Sequence, residues 1–183
     1  MKVCLRKIRE EDLYQIMIWR MQPSVTKFLN TDPQLDMDMQ RAWFKRISES
    51  DDCRYWMMVA DGVDIGVLGI IDIDHANKRC SWQWYIGNES YRGKGIAKRV
   101  QLNLYDYVFY KMGMHRLYSH ILTFNTHEID RVHIACGYKV EGVMKDHVYK
   151  NGKFIDVTVM GITEDMWAEI KPDFHYEQVT FED

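Results

Sequence analysis

Tyr85-Ile86-Gly87-Asn88-Glu89-Ser90-Tyr91-Arg92-Gly93-Lys94-Gly95-Ile96-Ala97-Lys98 decides how the chain is read. A strand-like run, Cys80 to Gly87, feeds a bend rich in glycine and cations, and an amphipathic helix follows at once. Gly93 and Gly95 carry no Cβ, so backbone N–H groups there can approach an anion closely. The first amides of the helix are unpaired and sit at the positive end of its dipole. Phosphate is the natural ligand of such a bend, and Arg92, Lys94 and Lys98 add charge-assisted donors. Two familiar phosphate loops are excluded. The dinucleotide fingerprint needs a glycine where Lys98 stands, and the Gly-x-x-x-x-Gly-Lys-Ser/Thr pattern is absent.

The chain has 183 residues, 46% of them hydrophobic and 13% aromatic, enough for one domain with a proper core. Its net charge of -3 argues against a general nucleic-acid binder, and no basic run marks a membrane surface. No stretch approaches the roughly 18 apolar residues needed to span a bilayer. Met1 to Lys7 holds no long apolar segment, so a secretory signal is not expected. Cys4, Cys53, Cys80 and Cys136 are far apart, without Cys-x-x-Cys or His-x-x-x-His spacing. They read as reduced thiols of a cytoplasmic protein, and no metal is expected.

Working outward, Lys2–Ile8 reads as a first strand. Leu13, Ile16, Met17 and Arg20 share a helix face after the acidic start Glu10-Glu11-Asp12. Asp36 is a plausible N-cap for a second helix, with Met39, Trp43 and Ile47 at four-residue steps. Arg54–Ala60 and Val63–Asp74 form strands around Asp61-Gly62. Alternation puts Val63, Ile65, Val67, Ile71 and Ile73 on one face of the second strand, and Asp64, Leu68, Ile70, Asp72 and Asp74 on the other. After the glycine bend, Ile96, Val100, Leu104, Val108 and Met112 make one helical stripe, closed by Gly113. His115–Thr123 is another strand, Asn125 and Glu128 suggest a capping box, and Gly137 closes the short helix. Tyr138–Tyr149 and Phe154–Ile162 form a hairpin across Asn151-Gly152. Residues 1–169 are read as the domain and 170–183 as an acidic tail. The order of elements is that of an α+β sheet with mixed pairing.

Arg92 to Ala97 spells Arg-x-x-Gly-x-Ala, and its place between strand and helix resembles the pyrophosphate-binding signature of the GNAT superfamily of N-acetyltransferases. The order of elements from Lys2 to Ile162 is similar to that fold. Glu141 to Asp146 and Gly152 to Val157 resemble the branch holding ribosomal-protein N-terminal acetyltransferases and acetyltransferases of nucleotide-linked amino sugars. Trp19-Arg20 and Gln40-Arg41-Ala42-Trp43-Phe44 look more like the amino-sugar members. The resemblance implies a GNAT-like central mixed sheet, flanked by helices, whose parallel strands Cys80–Gly87 and His115–Thr123 splay apart. Pantetheine would hydrogen-bond backbone groups of Trp84, Tyr85 and Ile86 there. Amides from Gly93 through Lys94, Gly95, Ile96 and Ala97 to Lys98 would hold the pyrophosphate, and Asn125 would reach the pantetheine arm. A strand amide near Trp84 or Tyr85 would steady the oxyanion.

The implied activity is acetyl transfer from acetyl-CoA to a primary amine, with a nucleotide-linked amino sugar or other small amine as acceptor. Acetylation of a protein's N-terminal amine and a non-catalytic acyl-CoA-binding module are the alternatives. Neither nucleic acid nor membrane is expected as a partner, and a homodimer is possible. The amine must lose a proton from a pKa near about 10.4, and a thiol near about 8.5 must leave. In many relatives the acid is a tyrosine four residues before the Gly-aromatic pair; here that slot holds His133, which otherwise reads as a solvated helix-surface histidine. The same count puts Thr126 rather than Asn125 at the family's asparagine slot. For the base, Asp72, Asp74, Gln83 and His120 lie on strands beside the cleft, and none stands out. Arg20 and Trp43 are the expected substrate-side residues, Arg20 as a phosphate or sugar contact or else as a surface ion pair. Trp19, Trp43, Trp82 and Trp84 offer stacking faces, or simply fill the core.

Overall fold

The computed structural model describes residues 1–125 and 129–183. Eight strands make one mixed sheet: β1 (Val3–Lys7), β2 (Arg54–Ala60), β3 (Val63–Asp74), β4 (Arg79–Ile86), β5 (Arg116–Leu122), β6 (Lys139–Lys150), β7 (Lys153–Thr163) and β8 (Thr180–Phe181). Their spatial order is β6-β7-β5-β4-β3-β2-β1-β8. Helices α1 (Leu13–Met21), α2 (Pro23–Thr26) and α3 (Met37–Glu49) precede β2; α4 (Ile96–Asp106), α5 (Ile129–Ala135) and α6 (Glu164–Ile170) follow β4. This is the expected sheet flanked by helices.

Two cores hold the layers together. Ile96, Val100 and Leu104 of α4, and Val108 in the helical turn that continues it (Tyr107–Lys111), pack with Trp82, Leu117, Tyr138 and Trp167 on one face. Leu13, Ile16 and Trp19 pack with Met57 and Val67 on the other, with Trp43, Phe44 and Ile47 of α3 beside them. In α3, Trp43 and Ile47 face inward as expected, but Met39 is 53% exposed and Gln40 takes the buried position in the first turn instead.

Strict alternation fails along β3. Ile65, Leu68, Ile70 and Ile73 all pack on the α4 side, and Val67 alone of this set turns to α1. Register shifts opposite Met58/Val59 and between Ile71 and Asp74 explain it, because each irregularity reverses which side chains face which layer. Asp72, at φ +52, is the residue that the second one turns.

Residues 170–183 are no separate tail. After a short 3-10 turn (Lys171–Asp173), β8 adds a parallel strand beside β1, and Phe181 stacks on Tyr107 with ring centroids 4.5 Å apart. The Trp56 indole donates to the Glu182 carbonyl at 2.8 Å, and the Tyr176 hydroxyl donates to Asp106 at 2.7 Å. Asn103 in α4 accepts from the Val179 amide and donates to the Glu177 carbonyl. At the other edge, the buried Lys150 ammonium donates to the Thr26 and Leu29 carbonyls, each at 2.6 Å, and pairs with Asp32. It fastens the β6–β7 hairpin to the loop after α2.

Gly66 lets β3 approach β4 closely: a Cβ there would overlap the Tyr85 carbonyl, which is backbone and cannot rotate away. Gly142 in β6 faces open space. Gly66→Ala is therefore expected to destabilise the fold by about 1–3 kcal/mol, the usual range for overpacking. Gly142→Ala should leave the urea midpoint almost unchanged, and equal midpoints for the two variants would contradict the close approach.

Candidate active site

β4 and β5 run parallel but pair only through Arg79↔Arg116, Cys80↔Leu117 and Ser81↔Tyr118. Beyond Ser81, β4 stays bonded to β3 as far as Ile86, and β5 stays bonded to β7 as far as Leu122. The two strands thus part while each remains held from behind, leaving a wedge edged by main-chain groups with no strand partner. Along the β5 side, Ser119 lies beside the buried Tyr138 hydroxyl, and the buried Thr123 hydroxyl lacks a partner among the described residues. The unpaired main chain is where an amide-bearing chain such as pantetheine can bond.

The bend after β4 has the geometry that its glycines predict. Gly93 and Gly95 take φ of +73 and +75, and a Cβ at either would meet nothing within 4 Å. Gly95 is the N-cap of α4 and offers no side chain to its first amides, which leaves N–H groups at the positive end of the helix for an anion. Lys94 lies over the Tyr91 ring at 4.8 Å and Lys98 over Phe174 at 5.5 Å. Among the described residues neither lysine pairs with a carboxylate, so both flank the cradle as unspent cations. The residues present fit the diphosphate of a coenzyme A thioester.

Two expected ligands are otherwise engaged. The Arg92 guanidinium donates from Nε and Nη2 to the Ile86 carbonyl at 3.0 and 2.8 Å, from Nη2 to Ser24 and from Nη1 to Glu89. It braces the end of β4 against α2 instead of facing the cradle, and it occupies the Ile86 oxygen expected to meet pantetheine. Asn125 ends a short 3-10 turn (Thr123–Asn125); the expectations for its side chain, and for Thr126 and Glu128, lie outside the described residues.

His133 is not on the surface. It is 2% exposed, stacks on Tyr138, meets Trp82 edge-on, and has Nδ1 3.0 Å from Gln101 Oε1. Since Oε1 only accepts, Nδ1 carries the proton. Burial pushes its pKa down to about 4, so at neutral pH the imidazole is uncharged with its one proton committed to Gln101. As placed, it cannot serve as the expected acid toward a departing thiolate.

On the α1/α3 face, a cleft opens beside the wedge, lined by Arg20, Trp43, Tyr55, Gln83, Trp84 and Tyr85. Arg20 and Trp43, from different helices, thus meet the expected donor-side residues Trp84 and Tyr85. Gly69 forms part of the floor, because a Cβ there would overlap the Tyr55 ring. Trp43 meets Tyr55 edge-on at 5.3 Å, and the Tyr55 hydroxyl accepts from Gln83 Nε2 at 2.8 Å. Tyr85 hydroxyl and Arg20 Nε are buried without partners, and burial raises the Tyr85 pKa. Arg20 makes no ion pair among the described residues, which removes the surface-pair alternative. The four tryptophans divide: Trp19 and Trp82 are core, Trp84 stacks on Trp82 and packs against that core while bordering the cleft, and Trp43 lines the cleft from α3. Sequence reasoning missed Tyr55, because only the bare Gly69 opposite it on β3 opens room for the ring. A second cavity, lined by Phe44, Ile47, Arg54, Trp56 and Tyr107, lies at the end of the sheet where β4 and β5 are still paired.

Among the described residues no helix is long and apolar enough to cross a membrane. Residues 2–139 match the acetyltransferase (GNAT) domain family. An uncharacterized N-acetyltransferase of Bacillus licheniformis is 26% identical over 172 residues, covering 91% of this chain and 96% of its own. A spermidine N(1)-acetyltransferase of Escherichia coli K12 is 26% identical over 153 residues, covering 83% and 81%. Among solved structures, spermidine N-acetyltransferase from Vibrio cholerae in complex with CoA and spermine superposes with a TM-score of 0.85 at 21% identity, over 91% of this chain and 98% of that one. These relatives do not carry the names of the amino-sugar or ribosomal-protein branch. With three-quarters of its length matched and the splayed sheet in place, the chain belongs to the GNAT family, as an N-acetyltransferase whose acyl donor is acetyl-CoA.

Proposed function

We propose that the chain acetylates a small primary amine that enters the Arg20–Tyr85 cleft and meets the thioester in the wedge. The observation carrying this reading is that an aromatic cleft opens on the same strand, β4, whose free edge faces the wedge. Acetyl-CoA supplies an activated acyl group. The chain's part is to hold the diphosphate on the amides after Gly93, align the donor along β4 and orient the amine.

Two acceptor classes remain, and one residue separates them. Relatives from Escherichia coli and Vibrio cholerae are spermidine N(1)-acetyltransferases, which makes a polyamine the first reading. An amine carrying an anionic group, such as a nucleotide-linked amino sugar, is the second, favoured by the unpaired Arg20 in a cleft with no carboxylate among its lining residues. Two like charges about 6 Å apart at an effective dielectric of about 20 repel by about 3 kcal/mol, so a polycation would have to keep its charges away from Arg20. Homo-oligomer formation is a proposal of the same kind. β6 is an edge strand with Val140, Val143 and Tyr149 exposed, and a Vibrio cholerae spermidine N-acetyltransferase has a dodecameric structure.

Titration calorimetry with acetyl-CoA is expected to show binding that Gly95→Glu abolishes, because a side chain and a negative charge would enter the cradle; unchanged affinity would refute the cradle. Assays with spermidine, nucleotide amino sugars and N-terminal peptides then sort the acceptors. Arg20→Gln is expected to lower KM for a polyamine by roughly tenfold through lost repulsion, and to raise KM for an anionic acceptor by at least as much. Thiol release with none of them, despite binding, would favour an acyl-CoA sensor.

A further inference from the structure

β4 and β5 present matching positions across the wedge. Ser81 pairs with Tyr118, so two residues further on Gln83 lies opposite His120, both on the α1/α3 face. Gln83 lines the acceptor cleft and is held by Tyr55. His120 is therefore the imidazole on the far wall of the opening, across from the Gln83 that lines the cleft. It is exposed, on a strand fixed to β7 through the His120↔Val159 register.

Three further groups gather around it. The Tyr118 ring is 5.5 Å from the His120 ring, centroid to centroid. His147 is 6.4 Å away, on a stretch of β6 displaced by the register shift between Met144 and Val148. Asp72, set at positive φ by the irregularity in β3, bears electrostatically on both Tyr118 and His120. Acidic, imidazole and phenol groups from β3, β5 and β6 thus converge on one side of the wedge through two separate departures from regular pairing.

We propose that His120 is the general base that deprotonates the acceptor amine, with Asp72 and His147 as positioning residues that set its charge. The assignment rests on the acetyl-transfer reading above. An acceptor arriving as an ammonium gives one proton to the free ring nitrogen of His120. The freed nitrogen lone pair forms the C–N bond to the acyl carbon as the C–S bond breaks. The second proton lost by the nitrogen passes to the departing sulfur, giving amide and thiol, and His120 returns its proton to water. Desolvation, then the neighbouring His147, lower the His120 pKa below its ordinary 6.5, with Asp72 opposing them. At neutral pH the ring is consequently in the form that accepts a proton. His133, sealed beneath the sheet against Gln101, cannot take this part.

The test uses the full chain with its best acceptor. His120→Gln is expected to lower kcat roughly 100-fold or more, the scale of general-base catalysis, with the acetyl-CoA Kd by calorimetry unchanged. In the parent enzyme, kcat/KM should fall as pH drops through the His120 pKa, below 6.5. NMR titration of the His120 ring gives that midpoint without turnover. His147→Ala should raise it by removing a like charge, and Asp72→Asn should lower it by removing an opposite one. Equal kcat and pH profile for His120→Gln and parent would overturn the base assignment alone. Failure of the parent to bind acetyl-CoA would instead overturn the acetyl-transfer reading.

Discussion

The constraint on which the rest depends is the early parting of β4 and β5. A parallel pair that stopped bonding in the open would leave two frayed edges exposed. Here each strand is held by its outer neighbour, β3 or β7, well past the last shared rung. The unpaired main chain is thereby kept extended and in place, where an added chain can bond it as another strand would. Gly66 and Arg92 reinforce the β4 wall, one by letting β3 lie close behind it and the other by gripping its final carbonyl.

What was legible in the chain was what depends on near neighbours. The bend at Gly93 and Gly95, the hairpin turn at Asn151-Gly152 with φ of +52 and +74, and the helix closed by Gly113 at φ +68 all need left-handed backbone, and such positions announce themselves. Side-chain direction was less legible wherever a distant contact intervened. Arg92 belongs to the phosphate signature by spacing, yet the Ile86 carbonyl and Glu89 nearby and Ser24 on the distant α2 claim its donors. His133 occupies the slot of a proton donor, yet the packing of Trp82, Tyr138 and Gln101 makes it a neutral core residue. The alternation in β3 misled because a strand irregularity leaves no local mark in its residues. Composition likewise made residues 170–183 a tail, although Ile170, Phe174, Tyr176, Val179 and Phe181 all pack against the core of the sheet.

The active site divides its labour between the faces of one strand. Trp82 looks toward α4 and the core, whereas Gln83 and Tyr85 look toward α1 and the cleft. Consecutive residues of β4 thus serve stability and recognition by turns, and a shift of one residue in its pairing would exchange those duties. That is a physical reason for the dense cross-bracing around the strand.

Lys150 joins parts of the chain that otherwise have little to say to each other. Its ammonium closes the carbonyl end of α2 and the start of the loop that brings Leu29 over the cleft, although the residue itself belongs to the outermost hairpin. The Leu29 side of the cleft therefore hangs from the rim of the sheet as well as from its own helix. A neighbour that grasped the exposed edge of β6 would be pulling on the same cord, and the tightness of the entrance would report what that rim is touching.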